Sequence, residues 1–256
     1  MRTVRLVVEY DGTDFHGFQF QPALRTVAGE LERALETLLR EPTKATAAGR
    51  TDAGVHATAQ VVSLTMKSGF ELRRLVPALN ALLPHDVCVR EAEEMPAGFS
   101  ARFSAHARHY RYAIVNRPQR PALLRTRAHH VWHPIDVAAF NRAARAAIGE
   151  HDFRAFCGVL PEQGGTVRVL HELEAERRGE LILVRLRGDG FLHRMVRILI
   201  GTLVEMAQGR RDPATLREII DSRDRSRAGY TAPAAGLYFA GATYEDRTIV
   251  VEPPLV

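Results

Sequence analysis

The stretch Gly49-Arg50-Thr51-Asp52-Ala53-Gly54-Val55-His56-Ala57 is short, polar and bracketed by glycines. It runs directly into Gln60-Val61-Val62-Ser63-Leu64-Thr65-Met66, a β-branched, largely apolar run that reads as a strand. Glycine permits tight turns and close backbone approach, so the two glycines predict a compact loop mounted on that strand. Between them Arg50 and Asp52 stand two residues apart. One reading is an ordinary surface ion pair on a connecting loop. The other is a carboxylate held at the mouth of a cleft, because loops carried on a rigid sheet often deliver chemistry.

Working outward, residues 4–10 read as a buried strand turned by Asp11-Gly12-Thr13, and Phe15 and Phe18 follow in an aromatic-polar loop. Val27, Leu31, Ala34, Leu35 and Leu38 recur at helical spacing before Pro42. A second helical face follows over 72–82 and a short strand over 86–91. Tyr110, Tyr112 and Ile114 alternate with Arg111 and Ala113, which predicts a half-buried strand over 103–115. The rigid 118–121 segment, with His129-His130, marks a domain junction. Beyond it the pattern predicts a helix over 135–148, antiparallel strands over 167–177 and 181–186, a long helix over 191–206, another over 213–220, and closing strands over 236–245 and 249–252. Two halves of strand-helix-strand-strand character predict an α+β fold, divided as 1–117 and 118–256.

Formal net charge is +5, and only Lys44 and Lys67 are lysines among 35 basic residues. The planar arginine fork suits phosphate and base edges, so the balance favours a polyanionic partner. Seven arginines and no acid lie between positions 102 and 127. Cys88 and Cys157 are too few for a disulfide framework, and no apolar run approaches a membrane span. A reduced, cytoplasmic setting is therefore expected. The glycines of Gly188-Asp189-Gly190 lack the phosphate-loop lysine, and the histidines at 129, 130 and 133 lack a cysteine or carboxylate set, so neither cofactor nor metal is expected.

Three residues stand out chemically. An ionised Asp52 is a nucleophile or an orienter of another base. Tyr110 is a stacking ring for a nucleobase or an ordinary core aromatic. Arg197 lies in the otherwise apolar Met195-Val196-Arg197-Ile198-Leu199-Ile200, where a guanidinium needs a partner; Asp52, Glu205 and Glu30 are the candidates.

Arg50-Thr51-Asp52-Ala53-Gly54-Val55-His56-Ala57 resembles the signature of the tRNA pseudouridine synthase A family. The likeness continues in order through Glu9-Tyr10-Asp11-Gly12-Thr13, Phe99-Ser100-Ala101-Arg102-Phe103-Ser104-Ala105, Tyr110-Arg111-Tyr112, Gly149-Glu150-His151-Asp152-Phe153, the 190–197 segment and Ala235-Gly236-Leu237-Tyr238. Phe18 departs from it, since the family usually carries tryptophan there. The resemblance implies two ferredoxin-like α/β halves adjoining around a basic cleft, and a homodimer that converts uridine to pseudouridine in the tRNA anticodon arm at nucleotides thirty-eight to forty, without cofactor. It implies Asp52 as the catalytic aspartate, Tyr110 as the ring on the flipped uracil and Arg197 as the basic partner. Arg50, His56, Arg102, Arg108, Arg111 and Arg194 are then the expected RNA-binding residues, with Arg210 and Arg211 adding phosphate contacts. A non-catalytic binder of structured RNA is the competing reading.

Overall fold

A computed structural model describes residues 1–255. In chain order the elements are β1 (Arg2–Tyr10), α1 (Val27–Leu39), β2 (Thr46–Ala47), β3 (His56–Met66), α2 (Leu72–Asn80), β4 (Val87–Met95), β5 (Ala107–Asn116) and β6 (His129–Val131). There follow α3 (Val137–Ala144), β7 (Gly149–Asp152), β8 (Val167–Arg178), β9 (Leu181–Gly188), α4 (Met195–Ala207), α5 (Leu216–Ser222), β10 (Leu237–Thr243) and β11 (Thr248–Val250). Helices and mostly antiparallel pairing make this a mixed α+β chain. It forms two compact units, one of Met1–Arg108 with the segment from Tyr238 onward, the other of His109–Leu237.

In the first unit β1 is flanked by β3 and β4, both antiparallel to it, while β10 lies parallel to β3. Burial is continuous along Val4–Val8 and along most of β3, as expected where both faces of a strand are covered. Even Arg5 is buried; its guanidinium meets Glu93 at 2.7 Å and Asp246 at 2.6 Å, which offsets the cost of enclosing a charge. Helix α1 begins where the Thr26 hydroxyl accepts from the Gly29 amide at 3.2 Å and ends at Arg40, which takes φ +56°. The register slips between Val8 and Tyr10, so Tyr10 faces Ala57 at the point where the signature loop enters β3.

In the second unit the strand order is β5-β9-β8-β7, with β6 parallel to the end of β5. Several boundaries differ from the sequence reading. Residues 101–104 form a turn, so β5 starts at Ala107. The helix expected over 135–148 is α3 followed by a single 3₁₀ turn, Arg145–Ala147. The long helix starts at Met195 because Arg194 takes the left-handed conformation, φ +60°. His129-His130, read as part of a junction, is strand β6.

Helix α4 is buried at every position except Arg197 and Glu205. It is held against the 229–232 segment at very short range. A Cβ on Gly201 would stand 1.9 Å from the Tyr230 carbonyl oxygen, and the Gly229 amide donates to the Thr202 hydroxyl at 2.8 Å.

Candidate active site

Asp52 opens a tight turn over 52–55, in which the Val55 amide donates to the Asp52 carbonyl at 3.2 Å. Gly54 takes φ +76° at the third position, where glycine is favoured. The opening motif laces this turn from one side. The Phe18 amide donates to the Thr51 carbonyl at 3.1 Å, and the Gly54 amide to the Phe15 carbonyl at 3.2 Å. These approaches need missing side chains. A Cβ on Gly12 would lie 2.0 Å from the Val55 carbonyl oxygen, and one on Gly17, at φ +92°, 2.7 Å from that of Thr51.

From below, the Tyr10 and Thr51 hydroxyls meet at 2.7 Å, and the Gln60 amide donates to the Gly49 carbonyl at 2.7 Å. Burial pushes the Tyr10 phenol up to about 12, so it stays neutral and available as a hydrogen-bonding strut. His56 is 1% exposed and stacks on Tyr238 with ring centroids 4.9 Å apart. Its Nδ1 lies 3.0 Å from Asp11 Oδ1 and 3.1 Å from the Gly12 amide nitrogen. One tautomer serves one of these contacts: a protonated Nδ1 donates to Asp11, a bare one accepts from Gly12. Expected among the RNA-binding residues, His56 lies beneath the signature loop.

Arg50 and Arg102 are exposed. Arg108 is half-buried and spends its fork on main chain: Nε donates to the Ala48 carbonyl at 3.1 Å, Nη1 to that of Ala105 at 3.0 Å, and Nη2 to that of Arg102. That guanidinium joins the edge leading into the signature loop to the 101–105 turn.

In the second unit Tyr110 lies on β5, 7% exposed, with its ring T-shaped against Phe191 at 5.0 Å. Arg111, next on the strand, is 5% exposed and donates from Nη1 to the Tyr110 carbonyl at 3.0 Å. Arg194 is exposed at the start of α4. Arg197, one turn further, exchanges two bonds with Ala232: its Nε donates to the Ala232 carbonyl at 2.8 Å, and the Ala232 amide donates to the Arg197 carbonyl at 3.0 Å. The Tyr112 hydroxyl donates to the Pro233 carbonyl at 2.8 Å, holding the same segment. The two structural acids considered as partners for Arg197 have other arginines: Glu205 pairs with Arg211, and Glu30 with Arg33 at 2.6 Å and Arg25 at 3.4 Å.

Sequence reasoning missed Tyr10, Thr51 and Gln60 as the struts of the loop, and Ala232 as the anchor of Arg197. The pairing of Gly12 and Gly17 with the later loop leaves a sequence trace. A carbonyl acceptor such as that of Ala232 leaves none. Among the described residues no three His, Cys, Asp or Glu side chains are grouped so as to hold a metal ion, and no helix is long and apolar enough to cross a membrane.

A family model described as tRNA pseudouridine synthase matches residues 6–104 and 143–245. The chain is 45% identical over 237 residues to a tRNA pseudouridine synthase A of Brevibacillus brevis, covering 93% of this chain and 97% of the relative. It is 45% identical over 250 residues to the protein of that name from Methylobacterium nodulans, covering 97% and 98%. The Acetivibrio thermocellus protein of that name is 42% identical over 244 residues, covering 95% and 100%. A solved Cbf5-Nop10-Gar1 complex aligns at 12% identity and TM-score 0.38, over 93% of this chain and 59% of that one, too distant to carry an argument. The family match takes in Asp52 and its loop, and the relatives span nearly the whole length. The chain belongs to the tRNA pseudouridine synthase A family, isomerases that convert uridine to pseudouridine in tRNA.

Proposed function

We propose that this isomerase acts on uridines of the tRNA anticodon arm, at nucleotides thirty-eight to forty, with Asp52 as the catalytic carboxylate, Tyr110 as the ring that stacks on the target uracil and Arg197 as the basic partner that orients the carboxylate. The observation that carries the reading is the mounting of Asp52. A carboxylate on a turn pinned by Gly12, Gly17, Phe18 and the Tyr10–Thr51 bond is preorganised, and preorganised charge loses little to reorganisation during reaction. Arg197 has the matching property, since its Nε bond to Ala232 fixes the plane of the guanidinium.

The chemistry runs as follows in this reading. The target nucleotide leaves the stack, at a cost of a few kcal/mol. Stacking on Tyr110 returns about 1–3 kcal/mol. Because that ring is 7% exposed, docking requires the side chains covering it to part. Asp52 starts the detachment, either by adding to the nucleotide or by taking a sugar proton. The N1–C1′ bond breaks, the uracil turns within the pocket and a C5–C1′ bond forms; the bond to Asp52 breaks again, or the sugar proton returns, and the proton lost from C5 is balanced by one gained at N1. Substrate and product are isomers, so no redox centre or triphosphate enters. Water must be kept from the sugar while it is detached.

The same reading takes each half as ferredoxin-like, the first carrying the aspartate loop and the second the arginine-bearing helix, around a basic cleft in a cytoplasmic homodimer that contacts one tRNA with both subunits. Exposed Arg50, Arg102, Arg194 and Arg210, with the net charge of +5, support a phosphate-binding surface. His56, Arg108 and Arg111, which are less accessible, would act by shaping it. The test is to map pseudouridines in tRNA from cells lacking the protein. Loss confined to nucleotides thirty-eight to forty, restored by the wild-type gene, is expected; an unchanged map overturns the assignment of target.

A further inference from the structure

Phe103 is 78% exposed on the turn between β4 and β5, and the Arg102 guanidinium carbon lies 5.1 Å from its ring centroid. Water-facing phenylalanine is ordinary on a mobile loop, but this turn is built. The Ser104 amide donates to the Ser100 carbonyl at 2.9 Å, and the Ser104 hydroxyl accepts from the Ser100 amide at 3.1 Å. The Ala101 amide donates to the Ser63 hydroxyl at 3.0 Å, while the Ala101 carbonyl accepts from the Tyr244 hydroxyl at 2.8 Å. Arg108 clamps the far side through the carbonyls of Arg102 and Ala105. The same guanidinium reaches the Ala48 carbonyl, so the turn is fastened to the edge that leads into the Asp52 loop. An aromatic ring and a cation are thus presented together to solvent on a fixed mount, next to the proposed active loop of an enzyme whose substrate is RNA.

The geometry points to Phe103, backed by Arg102, as a stacking platform for an unpaired base of the tRNA, separate from the ring that receives the target uracil. Aromatic faces accept any base, and a flanking guanidinium adds cation–π and phosphate attraction. The site therefore takes an extrahelical or loop nucleotide with little preference for its identity. The inference rests on the RNA substrate of the family but not on the roles proposed for Asp52, Tyr110 and Arg197.

Three variants, F103A, F103L and F103Y, are to be compared for tRNA affinity and for single-turnover tritium release from C5-labelled uridine. Because the ring is exposed, folding should be unaffected, as checked by urea unfolding. F103A and F103L are expected to weaken tRNA binding roughly fivefold or more, with F103Y restoring it, and with the saturated rate changed less than the affinity. A second readout uses Trp132, the chain's one tryptophan: in an F103W/W132F protein, tRNA should quench the fluorescence and shield it from acrylamide. Equal affinity of F103A and wild type, or restoration by F103L as full as by F103Y, overturns the platform. A shift of F103A to a smaller oligomer by sedimentation, with affinity per assembled particle unchanged, also overturns it, in favour of a protein contact. Absence of tritium release from the wild-type protein would instead contradict the isomerase reading itself, leaving the two failures distinguishable.

Discussion

The hydroxyls of Tyr10 and Thr51 meet at 2.7 Å inside the first unit, joining the last residue of β1 to the residue before Asp52. The bond is the strand's direct grip on the signature loop. Tyr10→Phe leaves the buried Thr51 hydroxyl without that partner, and an unmet buried group costs about 1–3 kcal/mol. Urea unfolding should show a loss in that range, and single-turnover isomerisation should slow beyond what the unfolded fraction explains, because the loop's aim is relaxed. Stability reduced with an unaltered rate would mean that the grip matters for folding alone.

Gly12 and Gly17 make the complementary prediction. A methyl at Gly12 cannot coexist with the Val55 carbonyl 2.0 Å away, and backbone, not a flexible side chain, must move. Gly12→Ala is expected to lower stability by about 1–3 kcal/mol and to depress turnover while leaving tRNA affinity nearly intact. Gly69, whose Cβ position is open and whose backbone is outside the left-handed region, serves as a control: Gly69→Ala meets no atom.

Arg197→Lys keeps a positive charge and discards the planar fork. The Nε bond to Ala232 is lost, and with it the fixed orientation. Turnover should fall about a hundredfold, with a smaller effect on tRNA affinity. A lysine variant as active as wild type would reduce the role of Arg197 to charge alone.

His129 sets an acid limit on the second unit. Burial, with a smaller contribution from the neighbouring His130 charge, pulls its imidazole down to about 4, between the edges of Tyr112 and Tyr230. The folded group thus binds its proton less readily than the unfolded one, whose ordinary value is near 6.5. Above about pH 6.5 both states are neutral and the residue contributes no pH dependence. As pH falls from there toward 4 the unfolded chain takes up a proton that the native one refuses, so stability drops. Unfolding at pH 7 and pH 5 should show a smaller acid loss for His129→Phe than for wild type; equal losses would contradict the neutral native imidazole.

How far the sequence could be read follows from what each feature depends on. Helix α1 and strands β8 and β9 were readable because their signals are local: a 3.6-residue apolar period before Pro42, and two β-rich runs around Gly179. The Asp52 loop was readable from its glycines and the strand behind it. The return of the chain from Tyr238 to the first unit was not, since pairing of Tyr238 with His56 is a contact between residues 182 positions apart and neither residue announces it. Arg108 and Arg111 read as RNA-binding cations because they lie in an arginine-rich segment without acids; only the fold reveals the carbonyls that accept from them. The start of α4 at Met195 depended on the backbone of Arg194, a left-handed residue for which side-chain type gives no warning.

The central claim is that the carboxylate at position 52 starts the isomerisation. It is tested most directly by single-turnover tritium release from C5-labelled uridine in tRNA, with wild type and Asp52→Asn compared at saturating enzyme. The amide is nearly isosteric, so fold and tRNA binding should persist while release falls roughly a thousandfold or more. Release by the asparagine variant at a rate near that of wild type would contradict the account.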